Sequence, residues 1–159
     1  MNDLLTELLL WLLVLNLGIA FGAGLYEHRI SLAQWFPPGV GAHHSVNLDA
    51  MRTTDSGRRF WAFVTTGPLT LLTLASLFIA PRADAPVRDW WLAAACVVLA
   101  ERVFTFAYFI PTALRLMRAG PEVSPEVEAA ARRWRQLNQL RALLTLAGWL
   151  ASLRALALT

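Results

Sequence analysis

Four long apolar stretches, separated by charged or turn-rich ones, set the pattern of this chain. Leu8 to Tyr26 carries no charge and one amide, Asn16, while Phe60 to Ala80 carries no charge at all. Trp90 to Thr112 carries only the adjacent Glu101 and Arg102, and Leu137 to Leu158 carries Arg141 and Arg154. Each approaches the ~20 residues a helix needs to cross hydrocarbon. Backbone groups in lipid must be satisfied internally, so runs of this length predict helices. The expected fold is all-α: a polytopic membrane four-helix bundle with a long first connection. It forms one domain over residues 1–159, with spans at about 5–28, 59–80, 88–114 and 126–157.

Helix punctuation agrees with these spans. Ser124-Pro125-Glu126 offers a capping serine before a proline at the first helical position. Pro81 ends the second helix and Pro86 opens the third. Gly67-Pro68 and Pro111 predict kinks. The connection from Arg29 to Gly57 contains Gln34-Trp35-Phe36-Pro37-Pro38-Gly39, an aromatic, turn-rich run expected to lie on the bundle mouth or the interface. The start, Met1-Asn2-Asp3, has no basic flank of the signal-peptide kind, so the first run reads as a retained span.

Helical spacing then places the polar residues. Asn16, Ala20, Ala23 and Glu27 share a stripe on the first helix, and Glu101, Thr105, Tyr108 and Thr112 share one on the third. Trp134, Asn138, Arg141 and Thr145 share one on the fourth, and the second offers Trp61, Thr65 and Thr66. The alternating direction of the helices brings all four clusters to the same half of the bundle. The opposite half is nearly all leucine, alanine and valine. This asymmetry predicts a pocket open to one side, floored near the midplane by Glu101, and argues against a through-channel. Gly18, Gly22 and Gly24 have the spacing for close helix contact, within the bundle or in a homo-oligomer, a dimer or trimer.

A charge at the centre of a span costs on the order of 3 kcal/mol on insertion scales, so Glu101 and Arg102 demand a reason. One reading makes Glu101, Glu27, Arg102 and Arg141 ion pairs that lock the bundle. The other makes Glu101 a general base or acid, and Arg141 a partner for an enolate or phenolate anion. Asn138 and Tyr108 then donate hydrogen bonds beside it, and Glu27 joins the catalytic set. Trp61, Thr65, Thr105, Trp134 and Trp35 form the walls for substrate. Arg102, about 100° around the helix from Glu101, is expected to face another helix or subunit. His28, His43 and His44 are the candidates for a metal ion or haem axial ligand.

Composition narrows the class. The chain is 57% hydrophobic and all 14 of its basic residues are arginine. The arginines flank the spans rather than forming one basic face, which points to lipid headgroups and not to nucleic acid. They concentrate on the first and third connections, placing those in the cytoplasm and both termini outside, in a bacterial inner membrane. The single cysteine, Cys96, excludes an internal disulfide and a zinc-type cluster.

The fourth-helix run Trp134-Arg135-Gln136-Leu137-Asn138-Gln139-Leu140-Arg141 resembles the signature of the anthrone-oxygenase-like family of small four-helix membrane proteins. Thr105 to Thr112 with Leu114-Arg115-Leu116 resembles its third-helix motif, and Tyr26-Glu27 with Trp35 and Pro37 the end of its first helix. The resemblance implies oxygenation of a flat, acidic, lipophilic aromatic with no evident organic cofactor. Two other readings stay open from the residues: a haem-dependent membrane isomerase similar to styrene oxide isomerase, and a non-catalytic structural or binding subunit. The residues require no cofactor, and haem or a metal ion fits the second reading.

Overall fold

The structure, a computed structural model, describes residues 3–37, 46–120 and 123–159. The pair His43-His44 and the Pro38-Gly39 turn lie outside the described residues. Among the described residues the fold is all-α, with no strand. Five helices follow in order: α1 Leu4–Trp35, α2 Leu48–Thr54, α3 Gly57–Arg82, α4 Val87–Arg118 and α5 Pro125–Leu156. The four long ones pack as a ring, α1 against α3 and α5, and α4 against α3 and α5.

Helices α1, α3 and α4 are long and apolar enough to cross a membrane, with mean hydropathy of 2.2, 1.7 and 1.7. They identify an integral membrane protein. α5 is as long, 32 residues, but is not among the helices that meet that measure of apolarity. Its first turns carry Glu126, Glu128, Arg132, Arg133 and Arg135, and Asn138, Gln139 and Arg141 follow. The four expected spans therefore reduce to three clear ones and a more polar fourth helix. Ser124 caps α5 as expected, its Oγ accepting from Val127 N at 3.4 Å. α1 runs through Trp35, and α2 folds back across its end, with Asn47 N donating to Trp35 O at 2.8 Å. Asn47 Oδ1 caps α2 by accepting from Ala50 N at 2.9 Å, and Asp55 ends it in the left-handed region at φ 39°.

Two apolar cores result. One, at the mouth, joins Trp35, Phe36, Leu48, Met51, Phe109 and Trp134. The other, at the far end, joins Leu10, Leu13, Leu17, Leu69, Trp91 and Val98. The buried Glu27, Thr65, Glu101, Arg102, Thr105 and Asn138 form a separate polar set. The far core is drawn tight by Gly148, where a Cβ would stand 2.6 Å from Val98 Cγ2. Of the α1 glycines only Gly18 meets a neighbour, the Trp149 ring at 3.2 Å; Gly22 and Gly24 face open space, so the expected repeated glycine contact is a single one.

Three helices widen to π-helical geometry on the polar side: α1 at Glu27–Ser31, α3 at Gly57–Leu69 and α4 at Thr105–Phe109. Proline supplies part of the cause. Pro68 has no N–H to give the Val64 carbonyl four residues back, and Asn16 Nδ2 donates to that oxygen instead at 2.8 Å. Pro111 follows the α4 widening directly. The extra residue per turn shifts the inward face, so Phe109 is buried and Tyr108 turns aside to stack on Phe104 at 5.6 Å between centroids. The uniform spacing expected from Glu101 through Tyr108 fails for that reason.

Candidate functional site

Two carboxylate–arginine pairs occupy the polar half, and their geometries differ. Glu101 and Arg102, neighbours on α4, fold onto each other. Arg102 Nε donates to Glu101 Oε2 at 2.6 Å and Nη2 to Oε1 at 2.7 Å, while Thr105 Oγ1 donates to Oε1 at 2.9 Å. Arg102 Nη1 donates across to the Thr65 carbonyl at 3.2 Å. Both side chains are at most 5% exposed. Arg102 does reach another helix, as expected, through its bond to Thr65 of α3, while the bidentate bond bends the rest of its side chain back onto the adjacent carboxylate.

Glu27 and Arg141 face each other across α1 and α5. Glu27 Oε1 accepts from Ser56 Oγ at 2.7 Å and from Trp61 Nε1 at 3.0 Å. Its Oε2 lies 3.7 Å from Arg141 Nη2, an ion pair beyond direct hydrogen-bond distance. The Arg141 guanidinium sits over the Phe109 and Trp61 rings at 4.9 and 5.6 Å from their centroids. Aromatic faces hold a cation while leaving its in-plane N–H groups available. The π-helical turns of α1 and α3 carry Glu27 and Trp61 to this meeting point.

Two cavities flank the pair. The first, about 340 Å³, lies under α2 and is lined by Glu27, Trp35, Ser56, Trp61, Phe109, Trp134 and Arg141 among others. The second, about 390 Å³, lies between α1 and α5, with Glu101, Arg102 and Asn138 on its inner wall. Trp61, Thr65 and Arg141 border both. α2 and the aromatic core border the mouth of the first cavity, in the polar half expected for it.

Most residues expected at the site come together here. Glu27, Arg141, Trp61, Thr65, Thr105, Trp134 and Trp35 line the first cavity, and Glu101, Asn138 and His28 the second. Trp134 also spends its Nε1–H on the Phe109 carbonyl at 3.2 Å, and Trp35 points its own at Thr54 Oγ1 at 3.5 Å. Tyr108 is the exception and lines neither cavity. His28 is exposed, and among the described residues no group of three metal-ligating side chains gathers. Cys96 is exposed on the outer face of α4. Ser56, Phe109, Met51 and Met117 enter the first cavity without having been anticipated; only the aromatic content of the first connection pointed to that region.

The arrangement joins a carboxylate with one lightly engaged oxygen to an arginine whose N–H groups make no hydrogen bond among the described residues, inside aromatic walls. Such a set can take a proton from an acidic carbon or hydroxyl and hold the anion that results. The sequence pattern of the family described as anthrone oxygenase matches residues 58–151, from the start of α3 into the last turns of α5. No curated protein and no solved structure matches the chain.

Proposed function

The chain belongs to the anthrone oxygenase family, and from that premise we propose that it oxygenates a flat, acidic, lipophilic aromatic of the anthrone class within its cavity under α2. The observation that carries this reading is the Glu27–Arg141 pair at 3.7 Å on the wall of an aromatic-lined cavity. The cavity volume of about 340 Å³ falls in the range of small-ligand sites, ~300–1,000 Å³.

Glu27 Oε2 removes a proton from the ring carbon opposite the carbonyl. The electron pair moves onto the carbonyl oxygen, and the Arg141 guanidinium holds that oxyanion. Dioxygen adds to that ring carbon and the peroxide takes back the proton held by Glu27; the carbon then loses its second hydrogen as a proton while the O–O bond breaks, so one oxygen stays as the new carbonyl and the other leaves as water. Ser56 and Trp61 fix the other oxygen of Glu27 and so aim the base. Glu27 takes this role rather than Glu101, because both oxygens of Glu101 are held by hydrogen bonds from Arg102 and Thr105, whereas Oε2 of Glu27 accepts none among the described residues. The helix ends on the side of the site carry most of the arginines, which supports a cytoplasmic position for this half.

The test is anthrone oxidation by purified protein in lipid nanodiscs, read as quinone absorbance and oxygen uptake. Glu27→Gln and Arg141→Met are each expected to lower kcat by about 10²–10³-fold. Full turnover in Glu27→Gln sinks the proposed base, and absence of turnover in the unaltered protein sinks the reading.

A further inference from the structure

The second cavity stands apart from the chemistry just described. It lies between α1 and α5, and the two helices are not equally close along their length. At Gly18 they touch, with a Cβ position 3.2 Å from the Trp149 ring, whereas at Gly24 a Cβ would meet nothing within 4 Å. The gap that opens there is edged by Leu25, 50% exposed, and Leu143, 62% exposed. Leu25 belongs to α1, which is apolar enough to cross a membrane, and Leu143 to the uncharged run 142–153 of α5, so this leucine edge is of the kind that faces lipid.

The inner wall is polar, and one of its groups is unspent. Glu101 and Arg102 satisfy each other. Asn138 is 5% exposed, and its Oδ1 has no hydrogen-bond partner among the described residues. A buried carbonyl oxygen without a donor is costly to keep and marks a place where something else donates. An acyl chain filling the cavity would leave that oxygen bare. A ligand with an O–H would complete it.

We propose that this cavity is a receiving chamber that takes a hydroxyl-bearing lipophile, a phenol or enol, sideways from the bilayer, with its O–H donated to Asn138 Oδ1. The inference rests on the reading of the chain as a protein that handles small lipophiles. The partition of Trp61, Thr65 and Arg141 is common to both cavities. A hydroxyl held at Asn138 therefore lies on the path to the Arg141 donors, and the shared arginine passes the molecule inward. The occupant arrives from lipid and meets its first polar partner at the wall.

The test uses the full chain in nanodiscs with 1-naphthol and 1-methoxynaphthalene, which share a ring system and differ in the O–H. Binding is followed by the fluorescence of the two compounds. The unaltered protein is expected to bind 1-naphthol about tenfold more tightly. Asn138→Leu should erase that preference, and Gly24→Phe, which fills the gap from the lipid side, should weaken capture of both compounds by about tenfold or more. Equal binding of the two compounds by the unaltered protein overturns the donor role, and unchanged 1-naphthol binding in a folded Gly24→Phe overturns the lipid route. A protein that shows the preference but does not oxidise anthrones keeps the chamber and loses the enzyme reading. One that oxidises anthrones with no preference loses the chamber alone.

Discussion

The two carboxylate–arginine pairs are built from the same groups and are bonded in different ways. Glu101 and Arg102 spend their hydrogen bonds on each other, on Thr105 and on the backbone of α3. Both oxygens of Glu101 and all three nitrogens of Arg102 are engaged, and two charges deep in a membrane helix become tolerable because each is the other's solvent. Glu27 and Arg141 stand 3.7 Å apart, anchored from behind by Ser56, Trp61 and the faces of two aromatic rings. Their unspent capacity points into a cavity. Saturation, rather than burial or charge, separates a lock from a site.

The largest effect expected from breaking this contrast is on stability at the saturated pair. Glu101→Gln leaves the Arg102 charge buried without a counter-charge and should cost about 3–5 kcal/mol. Replacing both, Glu101→Leu with Arg102→Met, removes the stranded charge and should restore most of the loss. Thermal unfolding in detergent, followed through near-ultraviolet circular dichroism of the tryptophans, reads both. A single variant no less stable than the parent, or a double variant no better than the single, would break the division of labour drawn here.

A smaller loss is expected in the far core, and it serves as the control for both pairs. Gly148→Ala puts a methyl 2.6 Å from Val98 Cγ2, an overlap that should cost about 1–3 kcal/mol. Val98→Ala in the same chain should relieve part of it. Turnover per folded molecule should not change, since neither residue lines either cavity. A fall in specific activity in Gly148→Ala would mean that the far core and the site are coupled, and stability losses at Glu101 would then say less about role.

Much of this was legible in the chain, and the limits have physical causes. The apolar runs gave the long helices because lipid-length apolar stretches have few other solutions. The direction of those helices gave the single polar half, and with it Glu27, Trp61, Glu101 and Arg141 as neighbours. Spacing arguments assume 3.6 residues per turn, so they failed where α4 widens to π geometry and exchanges Tyr108 for Phe109. Pro68 and Pro111 signalled a disturbance but not its form. The ion-pair reading held Glu101 and Arg102 among its four members but not their bidentate bond to each other, because backbone direction separates neighbours by about 100°, whereas an arginine has reach enough to bend back. The contribution of Ser56 depends on α2 folding over the mouth, which no periodicity records.

The finest test deletes one hydroxyl at each carboxylate. Thr105→Val removes a donor from Glu101 Oε1, which Arg102 Nη2 still serves at 2.7 Å. Ser56→Ala removes a donor from Glu27 Oε1, which Trp61 Nε1 still serves at 3.0 Å. The chemical change is the same, and each should cost about 0.5–1.5 kcal/mol of stability or less. Their effects on catalysis should diverge. Glu101 is held by Arg102 in any case, so Thr105→Val, which alters only the cavity wall, should lower kcat by about twofold at most. Glu27 loses one of the two anchors that aim its free oxygen, so Ser56→Ala should lower kcat about tenfold, or about 1.4 kcal/mol in the barrier. Parallel stability scans and quinone-formation rates decide it. Equal effects on kcat would place both carboxylates in one network, and the contrast between lock and site would fall.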